Sequence, residues 1–141
     1  MAIFSVVGCG SVDGQGDVTV VIESRDGRRT EFKVPLSEVE NKEEGAVGVL
    51  EHLAAREENP LALDMASGTY GKFINSVADL TPDTSTGEFI SVYTSVEADF
   101  GTWADVGEKT YGELTLKSSG VGISSMTVQS GCVILLCIET Y

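Results

Sequence analysis

Hydrophobic and polar positions alternate twice in the first third of the chain, with the two-residue period of a β-strand. Val18, Val20 and Ile22 share one side of the first run; Phe32 and Val34 share one side of the second. Asp26-Gly27 lies between them and tolerates the positive φ of a tight turn, so residues 18–34 read as a hairpin. The period then changes. Val47, Leu50, Leu53 and Ala54 recur at helical spacing and form an apolar stripe. Asn41 with Glu44 has the form of a capping box, and Glu43 and Glu44 suit the positive end of the helix dipole. Asn59-Pro60 is a stop signal. Gly45 and Gly48 cost the first turns up to ~1 kcal/mol each relative to Ala, a cost that a close backbone approach would justify.

Beyond Pro60 the signals are shorter. Leu61, Leu63 and Met65 read as an irregular segment packed on the core. Residues 70–77 and 88–95 read as strands around a turn-rich stretch. Residues 96–112 read as irregular and acidic and carry Phe100 and Trp103; residues 113–116 read as a short strand and 120–131 as a loop. Residues 132–138 are apolar at every position. Such a strand must be covered on both faces, which places it centrally, with Cys132 and Cys137 on opposite sides. Hairpin, helix and then strands make an α+β domain spanning residues 1–141. The expected architecture is a β-grasp-like mixed sheet with one main helix across one face, plus an N-terminal strand at residues 3–7. Its core covers residues 16–95 and 118–141, with residues 96–117 as an insertion. The first hairpin strand and the last strand would be parallel neighbours at the sheet centre. The second face then needs cover from residues 3–7, from residues 96–117 or from a partner.

Charge narrows the function. Nine Lys and Arg against 22 Asp and Glu give a net charge of −13. That field repels phosphate backbones and anionic lipid surfaces, so neither nucleic acid nor a membrane is an expected partner. No apolar run approaches the ~18 residues of a membrane span, and residues 1–10 lack the positive start of a secretory signal. The setting expected is a virion or the cytoplasm for a full-length chain, and extracellular for a processed fragment. Three cysteines, Cys9, Cys132 and Cys137, have neither disulfide-framework nor metal spacing.

No catalytic constellation emerges. His52 is the only histidine, a quarter-turn from the helix stripe, with no nucleophile near it in sequence. Gly8, Gly10 and Gly14 resemble a dinucleotide fingerprint, but the spacing is one residue too long and a hairpin follows instead of a helix. Asp79, Asp83, Ser85 and Glu88 offer oxygen ligands in one loop. Their spacing is not that of an EF-hand, and Pro82 interrupts them, so they read as an acidic turn. Arg25, Arg28 and Arg29 gather at the hairpin tip, as a solvated turn or a small anion contact. The chain is therefore expected to be no enzyme, with no cofactor and no metal site.

One ordered set of motifs carries a resemblance. Gly68-Thr-Tyr-Gly71 leads into a strand, an acidic turn follows through Asp83 and Gly87, and an aromatic strand opens at Phe89. Gly120, Val121, Val128 and Gly131 then lead into a last strand that runs to Glu139 and Tyr141. This order is similar to that of bacterial domains resembling the C-terminal β domain of transcobalamin. In that family a Trp follows the aromatic of the strand and a tight turn closes it; here Ile90 and residues 96–117 stand in those places. The resemblance implies a non-catalytic binding or adhesion module of soluble-ligand-binding type. From it come two expectations. The first is an interaction module docking on other protein subunits or on itself, an accessory part of a larger assembly such as a virion decoration or surface protein. Phe100 and Trp103 would be its partner anchors. The alternative is a small-molecule or corrinoid-like ligand held in a pocket lined by Tyr70, Phe89, Tyr93 and Trp103. The Gly68–Gly71 segment itself is expected to be a structural corner.

Overall fold

The computed structural model describes residues 16–69 and 71–140; the expected strand at residues 3–7, Cys9 and Tyr70 lie outside them. Strand β1 (Asp17–Glu23) and β2 (Arg29–Pro35) form the expected antiparallel hairpin, with Val20 opposite Phe32. Helix α1 (Ala46–Ala54) follows. Next come β3 (Leu63–Gly68), β4 (Gly71–Val77), β5 (Glu88–Thr94), β6 (Glu108–Tyr111), β7 (Leu114–Ser118) and β8 (Val133–Thr140). The main sheet has the order β2-β1-β8-β5-β7-β6, and β3 and β4 make a separate two-stranded sheet. β8 runs parallel to β1 and antiparallel to β5, so the continuously apolar strand is central, as its composition requires. The fold is a mixed α+β one, a curled sheet with one helix.

Three local expectations are corrected. Asn41 does not cap the helix. Lys42–Glu44 is a separate 3-10 turn, the Asn41 side chain makes no cap hydrogen bond, and α1 starts only after Gly45, whose φ is +61°. The two glycines have the steric reason that the sequence left open. A Cβ on Gly48 would sit 2.1 Å from the Asn41 carbonyl oxygen, and one on Gly45 would sit 2.5 Å from that of Met126. The helix also stops at Ala54, well short of Pro60. Residues 63–68 are not irregular: they pair with β4 down to Gly68 opposite Gly71, where the chain turns back. Nor are residues 96–112 irregular throughout: β6 lies within them and forms a hairpin with β7, the strand expected at residues 113–116, and β7 joins the main sheet through Tyr93 opposite Ser118 and Thr94 opposite Lys117.

That hairpin decides how the second sheet face is covered. On the first face α1 lays Val47, Leu50 and Leu53 against Val20, Ile22, Ile134 and Leu136, all essentially inaccessible to solvent. On the second face Val21, Val133, Leu135 and Cys137 pack with Tyr93 and Leu116, and Tyr111 leans on them. Cys132 and Cys137 fall in opposite cores, as their spacing predicts. Among the described residues no second helix is involved: the sheet curls until its far edge, β6, returns to β1 and β2. The Arg29 guanidinium donates to the Thr110 carbonyl at 2.8 Å, and Lys109 Nζ and Arg29 Nε each lie 2.9 Å from a Glu23 carboxylate oxygen.

Candidate functional site

The curl leaves one strand incompletely paired. β5 pairs with β8 along its whole length, Glu88 to Thr94, but with β7 only at Tyr93 and Thr94. One further bond, from Ser119 N–H to the Val92 carbonyl (2.9 Å), ends that contact before the chain departs at Gly120. Ser95 donates to the Val133 carbonyl, so the odd-numbered residues of β5 turn their backbone groups toward β8. The backbone N–H and C=O of Ile90 accordingly point the other way. They face a slot in line with β7 that no strand fills among the described residues.

The slot opens into a groove of about 550 Å³. One wall is β4 with Phe73 and Ile74, the opposite wall is β5 with Phe89 and Ile90, and Val121 and Ile123 close one end. Phe73 is 50% exposed and Val121 40%, two of the four large hydrophobic side chains most open to solvent among the described residues. The outer edge of β4 is partly closed, because Lys72 N–H donates to Ser124 Oγ at 3.1 Å. The lysine side chain reaches back 2.9 Å to Glu51 on α1. The far end is built from the acidic turn. Glu88 accepts both Arg25 guanidinium nitrogens at 2.7 Å and the Asp83 backbone N–H at 2.7 Å. Those bonds, the guanidinium first, hold its carboxyl down to about 2.

The carboxylates at the far end of the groove are held by hydrogen bonds within the turn. Asp83 Oδ1 is occupied by the Ser85 backbone N–H and hydroxyl, and Asp79 accepts the Ser24 hydroxyl. The oxygen-rich turn thus spends these carboxylates on internal bonds. Among the described residues no three His, Cys, Asp or Glu side chains gather as a metal site. His52 lies elsewhere, on α1, 3.7 Å from Glu38. Cys137 is buried, and burial in the apolar second core pushes its thiol up to about 12, which suppresses thiolate chemistry.

Of the four aromatics of the expected ligand pocket Tyr70 lies outside the described residues, and the other three are not brought together. Phe89 lines the groove. Tyr93 is 2% exposed inside the second core, where its hydroxyl donates to Glu139 and the Lys109 ammonium lies 5.4 Å from its ring centre. Desolvation there, with the Glu139 carboxylate beside it, raises the phenol well above its ordinary range. Tyr93 shares its face of β5 with Phe89 but lies at the end of the strand where β7 pairs, so the curling hairpin closes over it. Trp103 stands on the loop before β6, half-exposed, with its ring laid over Gly101. Phe100 is half-buried, 5.6 Å from Lys117 Nζ, and its backbone bridges Ser119 beside the slot. Phe100 therefore borders the groove without lining it, and Trp103 is not among the lining residues. Phe73, Ile74, Ile90 and Val121 line the groove, and none of them was among the expected site residues.

No helix among the described residues is long and apolar enough to cross a membrane. No protein-family profile matches the chain, and no curated protein does. The fold has a solved counterpart. A "putative metal binding protein" from Ruminococcus gnavus ATCC 29149 superposes with a TM-score of 0.57, over 90% of this chain and 99% of that one, at 20% identity. At that identity the likeness is one of fold.

Proposed function

We propose that the protein is a non-catalytic protein–protein interaction module, an accessory subunit of a larger assembly, that receives an extended segment of polypeptide along the open edge of β5. The observation that carries this reading is the coincidence of two features. Ile90 turns both backbone hydrogen-bonding groups into a slot, and that slot borders an apolar groove with Phe73 and Val121 open to solvent. Strand addition uses those two elements together: main-chain bonds supply affinity, and apolar pockets for alternate side chains supply selection. Phe100, bridged to Ser119 beside the slot, and the half-exposed Trp103 on the same loop are the anchors such a partner would use next. A virion shell or a cell surface is the kind of assembly in which an acidic, non-catalytic subunit of this size serves.

The fold reading that accompanies it is a β-grasp domain of the transcobalamin-like kind. The hairpin, the single helix across it and the parallel β1–β8 pair at the sheet centre support that reading. The second functional reading, a corrinoid-like or other soluble ligand, draws on the groove volume. About 550 Å³ falls within the ~300–1,000 Å³ of small-molecule clefts. One NMR titration of the isotope-labelled full chain separates the two. An uncharged decapeptide of alternating Val and Thr should shift the amides of Ile90, Val92 and Val121. A corrinoid that shifts them while the peptide does not would replace the first reading with the second.

A further inference from the structure

Resting on the reading of β5 as a strand-receiving edge, we infer that the guest is an uncharged, proline-free strand with basic flanks from a different protein, gripped on both of its edges so that it joins the two sheets into one. The second grip is β4. Lys72 gives its N–H to Ser124 Oγ and not to β3, so the even-numbered residues of this stretch turn their backbone groups away from β3. The pairing is regular from Lys72 opposite Ser67 to Ile74 opposite Met65, and the register shifts only beyond that pair. Ile74 therefore turns its N–H and C=O the same way. Ser119 bonds to Val92 on β5 and Ser124 bonds to β4, so the segment between them crosses the end of the groove from one edge to the other. Ile74 and Ile90 line that groove from opposite walls.

The side-chain phases agree across the gap. Ile74 and Ile90 both pack against the helix-side core, while Phe73 is largely exposed and Phe89 lies on the other face of β5 from Ile90. A guest strand between them sets alternate side chains against the isoleucines and the rest against the phenylalanines. Bonds along both edges leave no place for proline. Charge identifies the guest further. Among the described residues Lys72 and Glu88 are the charged side chains that line the groove, and each is spent on an ion pair, with Glu51 and Arg25. A charged guest side chain between the walls would lose its water and gain no counterion. Outside the groove the net charge of −13 favours Lys and Arg on the flanks of the guest, and it repels a second copy of this chain, which carries the same charge.

Amide hydrogen exchange of the full chain tests this with a synthetic peptide, Val-Thr-Val-Thr-Val flanked by lysines at both ends, and with two derivatives N-methylated at the valines or at the threonines. The parent peptide should protect the amides of Ile74 and Ile90 together and leave those of Leu135 and Leu136 in β8 as they are. Each derivative loses the N–H groups of one edge only, so a two-sided grip makes both bind about tenfold more weakly. A glutamate-flanked version should also bind about tenfold more weakly at low ionic strength, a gap that narrows with added salt. Protection of Ile90 without Ile74, or full binding by either N-methylated derivative, overturns the two-sided grip and leaves the reading of β5 standing. Equal binding of the two flanked versions overturns the charge assignment. In the chain without peptide, protection of both amides only at millimolar concentration makes the occupant a second copy, and protection at every dilution means that the slot is already filled; either result overturns the foreign guest. A parent peptide that protects neither amide sinks the underlying reading together with the inference.

Discussion

The two faces of the main sheet are closed by different physics. On one face a helix brings its own apolar stripe, and the core around Leu50 and Leu53 is closed to solvent and continuous with Val20, Ile22, Ile134 and Leu136. On the other the sheet covers itself. The apolar cluster is smaller, and the closing edge is held by charge: Glu23 between Arg29 and Lys109, with Tyr93 bonded to Glu139 inside. Apolar packing is non-directional and tolerates an irregular helix start, whereas a hairpin folded back on its own sheet must be registered, which directional bonds accomplish. The same contrast places the open slot. β7 is drawn away to serve the curled face, and β5 loses its neighbour there beyond Val92.

Substitutions break this comparison in graded steps. The largest loss should come from the helix face. Leu50→Ala opens a cavity under a side chain with no solvent exposure and should lower unfolding free energy by about 2–5 kcal/mol in chemical denaturation. Gly48→Ala comes next. Its Cβ meets a backbone carbonyl and not a flexible side chain, so despite the helix preference of Ala it should destabilise by about 1–3 kcal/mol. A neutral or stabilising result would mean that the Asn41 turn gives way.

On the curled face Lys109→Met removes one arm of the clasp and should cost about 1–2 kcal/mol. A double-mutant cycle with Glu23→Gln should be non-additive, because both substitutions act on one network. The same clasp has a pH signature. Burial alone would raise the Glu23 carboxyl, but its bonds from Lys109 and Arg29 outweigh that and hold it below the ordinary value of 4.5. A group lowered in the native state stabilises fully above its unfolded value and loses that contribution as pH falls. Acid below about pH 4.5 should therefore loosen the β6–β7 hairpin first, before α1. Exchange of the β6 amides against those of α1, followed down in pH, reads the order directly. Glu88, held near 2, should keep its bond to Arg25 to lower pH than the clasp survives. The smallest effect belongs to Trp103→Ala. Half-exposed on its loop, the ring should contribute under about 1 kcal/mol to the melting of the monomer, leaving any loss of assembly attributable to the surface. A large drop in melting temperature would instead make Trp103 part of the protein's own packing.

Local chemistry made much of this protein legible in sequence. Alternation at Val18, Val20 and Ile22 around Asp26-Gly27 produces the hairpin wherever it sits, and the apolar run of residues 132–138 can only be a strand covered on both sides. The stripe at Val47, Leu50 and Leu53 needs one buried face and therefore one helix. These are consequences of side-chain period and turn chemistry, which act over a few residues. The helix start was not legible, because Gly45 and Gly48 answer to Asn41 and Met126, and Met126 is remote in the chain. Strand β6 was misread for a related reason, although β7 was expected at residues 113–116. Glu108–Tyr111 is charged and polar, and its strand character comes from β7 beside it and from Glu23 and Arg29 across the curl. The groove depends on tertiary structure altogether. Neither β4 nor β5 announces in its own residues which edge will be left without a partner. That is settled by where the sheet curls, through contacts between segments dozens of residues apart that no local pattern encodes.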